Sequence, residues 1–128
     1  MHRKMARMSV PQGKEMRIKI MSWNVNGMGD KLKRGMVSGY LNRTNPDIIF
    51  LQETHLAGNR CEFLGRGRYR MLAHAGFSTG ARGVAIMIRK SLSFEIERTW
   101  ADEGGQYVAT TGLLKGEKAT LASWYFPP

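Results

Sequence analysis

Cysteine is almost absent: Cys61 stands alone in a chain of 128 residues. A lone cysteine excludes an intramolecular disulfide and a cysteine-based zinc site, and it favours a reducing compartment. Long apolar runs are missing too. No segment approaches the roughly 20 apolar residues of a membrane-spanning helix. Acidic residues are scarce: ten Asp and Glu face twenty Lys and Arg, for a formal net charge of +10. A field of that sign suits a polyanionic partner, nucleic acid before an anionic membrane. Repeats and low-complexity segments are absent, and the length fits one modest domain with its own core.

Residues 1–16, MHRKMARMSVPQGKEM, are basic and lack the apolar stretch of a signal peptide. They predict a disordered basic tail before a domain over 17–128. From Arg17 the pattern changes. RIKIMSWNV alternates, with Ile18, Ile20, Ser22 and Asn24 on one face and Met21, Trp23 and Val25 on the other. NGMGD is turn chemistry, and Asp30 is a fair N-cap. KLKRGMVSGYLNRT follows, with Leu32, Met36, Val37, Tyr40 and Leu41 at helical spacing. Gly35 and Gly39 weaken that helix, and Asn45–Asp47 stops it.

DIIFLQET is a continuous apolar run that turns abruptly polar. Strand, helix and strand in this order make a βαβ unit with two parallel strands and a right-handed crossover. The rest reads as strands over Tyr69–His74, Gly83–Arg89, Phe94–Trp100, Tyr107–Leu114 and Lys118–Phe126. Their short connections predict an antiparallel meander. The loop AGNRCEFLGRGR has room for a short helix. Trp23, Trp100 and Trp124 fall in strand-like segments and read as core residues.

The chemistry gathers at two strand ends. In open sheets with parallel strands, ligands bind beyond the carboxyl ends. Asn24 closes the first strand, sharing a face with Ile18 and Ile20. Glu53 closes the second, sharing a face with Ile49 and Leu51. A carboxylate at the edge of a core needs a partner or a cation. A hard divalent ion held by oxygen donors is one solution, and Mg²⁺ is usual beside a phosphate. A Glu paired to Lys or Arg, with an Asn satisfying a turn, is the other. His55, just beyond Glu53, reads as a turn residue. Asp102 and Glu103 read as an exposed acidic turn.

SWNVNG followed by PDIIFLQETHL resembles the endonuclease/exonuclease/phosphatase superfamily. The branches it resembles most are LINE-type (non-LTR) retrotransposon endonucleases and the exonuclease III-like apurinic/apyrimidinic endonucleases of DNA repair. GARGVAIMIRKSL, DEGGQYVATTGLL and ASWYFPP resemble three later family segments, in order, so the resemblance runs from about Arg17 to the last residue.

The resemblance implies the N-terminal half of a four-layer αββα sandwich and a metal-dependent DNA phosphodiesterase. It implies Mg²⁺ (or Mn²⁺) at Glu53, Asn24 near the metal, and Tyr125 on the scissile phosphate. Asn26, Lys31, Arg82 and Gln106 are the expected nucleic-acid contacts, and a nuclear location follows from the substrate. Two departures stand out. Gln106 occupies the place of a family Arg and loses the bidentate fork. Pro128 replaces an Asn and offers no side-chain amide. The segments that carry the family's later Asp-x-Asn and Asp-His pairs have no counterpart here, and none of His2, His55 and His74 matches that histidine. The expected consequences are an inactive fragment, a missing second sheet, and self-association through the uncovered face. A catalytically dead nucleic-acid-binding remnant and a phosphomonoesterase of the same fold are the alternative readings.

Overall fold

The computed structural model describes residues 3–9, 17–56, 67–77 and 81–125; in the first stretch only the side chains of Arg3 and Met5 are described. The AGNRCEFLGRGR loop, apart from its last two residues, and Pro128 lie outside the described residues.

Eight strands and one helix follow in the order β1 (Arg3–Ser9), β2 (Arg17–Asn24), α1 (Lys31–Thr44), β3 (Ile48–Gln52), β4 (Tyr69–Ala75), β5 (Val84–Arg89), β6 (Phe94–Ala101), β7 (Tyr107–Leu114) and β8 (Glu117–Trp124). Two sheets form. The first has five strands in the order β1-β2-β3-β5-β4, and the second has three in the order β6-β7-β8. The expected βαβ unit is present: β2 and β3 run parallel, with Ile20 opposite Ile48 and Asn24 opposite Gln52. The meander is present too, but β5 inserts between β3 and β4, antiparallel to both. The fold is α/β, the N-terminal half of an αββα sandwich.

Three expectations need correction. Residues Arg3–Ser9 of the basic tail form a strand, pairing antiparallel with Arg17–Trp23. The edge of β2 supplies unpaired backbone groups, so any extended segment close by gains a ladder of hydrogen bonds. Arg3 also lies over the Tyr40 ring, 4.3 Å from its centroid. The second correction concerns the missing sheet. The β6-β7-β8 sheet covers one face of the larger sheet with Phe94, Val108, Leu114 and Leu121, which pack with Ile18, Ile48, Val84, Ile86 and Ile88. The face on which self-association was to rest is therefore covered. The third concerns tryptophan. Trp23 is buried, but Trp100 and Trp124 are 40% and 50% exposed. They lie on the solvent side of the small sheet, where Trp124 stacks on Tyr107 with ring centroids 4.7 Å apart.

The other face of the large sheet carries α1. Met21, Trp23, Val25, Ile49 and Leu51 pack with Val37 and Leu41 there. Asp30 caps the helix by accepting from Leu32 N at 2.9 Å, and Asn45 ends it in a left-handed conformation. Leu32 and Met36, expected in the apolar stripe, are exposed instead. Only Val37, Tyr40 and Leu41 reach the sheet, because a single helix turned on a flat face buries a narrow arc. Among the described residues, no helix is long and apolar enough to cross a membrane.

His74, in β4, has a depressed pKa because burial disfavours its charged form. Its Nε2 has no hydrogen-bond partner among the described residues. The unfolded chain takes up a proton at this position near the ordinary value of 6.5, before the folded chain does. Stability is thus full above that value and falls as pH drops through the folded pKa. Melting curves from about pH 7.5 to about pH 5 should show a falling Tm, and His74→Leu should flatten this part of the decline.

Candidate active site

The candidate site lies where the C-terminal ends of β2 and β3 meet the end of β8. The local backbone is unusual. Asn26, Glu53, His55 and Arg82 all have positive φ, at 51°, 52°, 56° and 60°. These four make up most of the non-glycine residues with positive φ among the described residues. Such strain persists only where surroundings enforce it, and it clusters at functional sites.

The enforcing contacts are backbone hydrogen bonds. Val25 N donates to Gln52 O (3.0 Å), Gly27 N to Glu53 O (2.6 Å) and Met28 N to Thr54 O (2.8 Å). On the other side, Thr54 N donates to Gly83 O (3.0 Å) and His55 N to Arg82 O (2.6 Å). The Glu53–His55 segment is therefore clamped between the 25–28 loop and the 82–83 turn. Gly83 is required there. A Cβ on it would stand 2.3 Å from Thr54 Oγ1, and its φ is +103°.

This strain changes which way Glu53 faces. Asn24 pairs with Gln52, so plain strand alternation would send Glu53 to the helix side with Ile49 and Leu51. The left-handed backbone at Glu53 redirects it. Its carboxylate acts instead on the Tyr125 phenol, and Tyr125 packs on the inter-sheet core. Partial burial and then the Glu53 carboxylate push the Tyr125 phenol pKa upward, while the nearby Arg82 opposes them. His55 Nε2 lies 4.0 Å from Glu53 Oε1.

The structure thus brings Glu53, Tyr125 and Arg82 together, and His55 joins them. Asn24 ends the neighbouring strand; its Oδ1 accepts from Asn26 N at 3.1 Å, closing a local turn. Asn26 is exposed beside it. Gln106 contributes through its backbone: its carbonyl accepts from Tyr125 N at 2.8 Å. Lys31 opens α1 and is exposed, with no hydrogen bond or ion pair to these groups among the described residues. Arg82 Nη1 reaches Gly104 O at 3.4 Å, and its guanidinium lies 4.9 Å from the Phe77 ring centroid.

Sequence reasoning missed the redirection of Glu53 and the bracing role of the 102–106 turn. The signal available was the pair of glycines at Gly83 and Gly105, both with positive φ, at 103° and 70°.

As a metal site, the donors have the right chemistry. Glu53 offers a carboxylate and Asn24 an amide oxygen, both hard donors. Mg²⁺ commonly uses one or two carboxylates and completes its shell with water and substrate phosphate. The described residues hold no group of three His, Cys, Asp or Glu that could form an all-protein cage.

The pattern defining the Endonuclease/Exonuclease/phosphatase family matches residues 21–127. The chain belongs to this family. Among solved structures it is similar to the AP endonuclease LMAP from Leishmania major (TM-score 0.64, 19% identity, 84% of this chain and 40% of that one). It is also similar to the human Nocturnin catalytic domain with bound sulfate (0.63, 18%, 94% and 52%). A third likeness is the 3′ phosphatase NExo from Neisseria bound to product DNA hairpin (0.57, 25%, 80% and 40%). The chain therefore spans between 40% and 52% of the length of these three structures.

Proposed function

We propose that the chain carries the metal- and phosphate-binding half of a Mg²⁺-dependent DNA phosphodiesterase site, and that alone it binds DNA with little or no cleavage. One observation carries this reading. Glu53, held in a strained conformation, faces Tyr125 and Arg82 at the end of two parallel strands. A carboxylate, a phenol and a guanidinium are what a metal-bound phosphodiester needs near it: a metal ligand, a hydrogen-bond donor and a cation. A bound Mg²⁺ would supply charge stabilisation at the phosphate. Glu53 would hold it with Asn24 assisting, Tyr125 would donate to a phosphate oxygen, and Arg82 would neutralise charge. Among the described residues, Glu53 is the acidic group acting on Tyr125. DNA is favoured over a small phosphomonoester by the net charge of +10, and a nuclear location belongs to the same proposal.

The test is duplex binding and supercoiled-plasmid nicking with and without Mg²⁺, beside Glu53→Ala. We expect salt-sensitive binding and negligible nicking. Metal-dependent nicking that disappears in Glu53→Ala would show that this half suffices for catalysis. Phosphate release from an inositol phosphate without DNA binding would move the substrate to phosphomonoesters. Arg82→Gln should weaken DNA binding about threefold and reduce the salt slope by about one ion. Fluorescence anisotropy across a salt series measures both.

A further inference from the structure

Glu53 and Tyr125 follow strands of different sheets, and something must hold them in register. Among the described residues, no strand pairs the two sheets to each other. Side-chain packing between sheets tolerates small slides, whereas a site that keeps a phenol beside a carboxylate does not. One link is Ser123, whose Oγ donates to Leu51 O at 3.0 Å and accepts from Gln52 Nε2 at 3.2 Å; the 102–106 turn, DEGGQ, supplies a second, through the backbone. Gly83 N donates to Gly105 O at 3.0 Å, and Tyr125 N donates to Gln106 O at 2.8 Å. Gly83 O in turn accepts from Thr54 N at 3.0 Å, next to Glu53. A line of backbone hydrogen bonds thus runs from the Glu53 segment through Gly83 and the turn to Tyr125.

The turn keeps its shape through Asp102. The Asp102 carboxylate accepts from Gln106 N at 3.0 Å. Its backbone carbonyl accepts from Gly105 N and its own N–H donates to Tyr107 O, both at 3.0 Å. Gly104 leaves room for that carboxylate: a Cβ there would stand 3.1 Å from Asp102 Oδ2. Gly105 lets the turn approach its neighbours, since its Cβ would stand 3.1 Å from Phe77 N and 3.3 Å from Gly83 N.

We infer that Asp102 is a positioning residue, whose carboxylate holds the 102–106 turn as the brace between Glu53 and Tyr125. This assignment rests on reading Glu53 and Tyr125 as the working pair. It also explains Gln106: the position serves through its backbone N–H and carbonyl, so the loss of an arginine side chain leaves the brace intact.

The test is amide hydrogen exchange by NMR on the full chain. Losing a charge-assisted hydrogen bond opens the turn more often, so Asp102→Ala should speed exchange at Gly83, Gln106 and Tyr125 by about tenfold. Met87 and Ile88, in the middle of the large sheet, should be unchanged. Asp102→Asn keeps an acceptor oxygen and should restore protection. Unchanged exchange at Gly83 and Tyr125, or equal acceleration at Met87 and Ile88, would overturn the assignment. Should Asp102→Ala fail to fold, the wild-type chain in sub-denaturing urea decides. Gly83, Gln106 and Tyr125 should then share one opening free energy, and different values would sink the brace. Mn²⁺ line broadening in the same sample is read separately. If Mn²⁺ does not broaden Glu53, the metal reading falls while the exchange data still judge the brace.

Discussion

Gly83→Ala is expected to lower the stability of the chain by about 3 kcal/mol. Two costs add. The added methyl falls 2.3 Å from Thr54 Oγ1, a side chain that is fully buried, and the φ of +103° disfavours any side chain. Neither Thr54 nor the 82–83 turn can move alone, because Thr54 N and His55 N are bonded to Gly83 O and Arg82 O. For a domain of this size the change corresponds to a Tm lower by roughly 10 to 15 °C in a thermal melt. The double variant Gly83→Ala with Thr54→Ala should recover part of the loss, since it removes the struck atom but leaves the φ strain. A double variant no more stable than Gly83→Ala would show that the contact with Thr54 is not the cause.

Glu53→Gly should separate stability from metal binding, with opposite signs. Glu53 occupies the left-handed region at a φ of 52°, where glycine has no steric cost. Its side chain is only half-buried, and its contact with His55 spans 4.0 Å, so little is lost from the fold. Removing the side chain should leave the Tm unchanged or raise stability by about 1 kcal/mol. It should also abolish Mn²⁺-induced line broadening at Asn24 and Tyr125, because the carboxylate acting on Tyr125 is gone. Thermal melts and Mn²⁺ titrations of the same sample read both effects. A destabilised variant that still binds Mn²⁺ would mean that Glu53 is a structural residue and that the metal reading is misplaced. The pair of outcomes expected here is the signature of a residue kept against the preference of its backbone.

Much of this arrangement was legible in the chain itself. The alternation of Ile18, Ile20, Met21 and Trp23 announced β2, and the apolar run Ile48–Leu51 announced β3, because faces buried on both sides leave only apolar choices. Asp30 and Asn45–Asp47 marked the helix ends through capping and turn chemistry that acts within a few residues. Glu53 and Asn24 were recognisable as chemically odd endings to apolar strands, and Tyr125 stood out only through the family resemblance.

Other features depended on distant segments. Trp100 and Trp124 read as core but lie on the open face of a three-stranded sheet, and periodicity alone does not say which face is covered. Strand β1 took its conformation from the free edge of β2, not from its own basic composition.

The sequence by itself determined the helix and every strand except β1, the basic charge and the residue types available for chemistry, since those follow from local periodicity, capping and composition. Only the tertiary structure decided that Glu53 turns away from the helix toward Tyr125. That turn is imposed by Gly27, Gly83 and the 102–106 brace, whose hydrogen bonds join residues far apart in the chain and so leave no local trace.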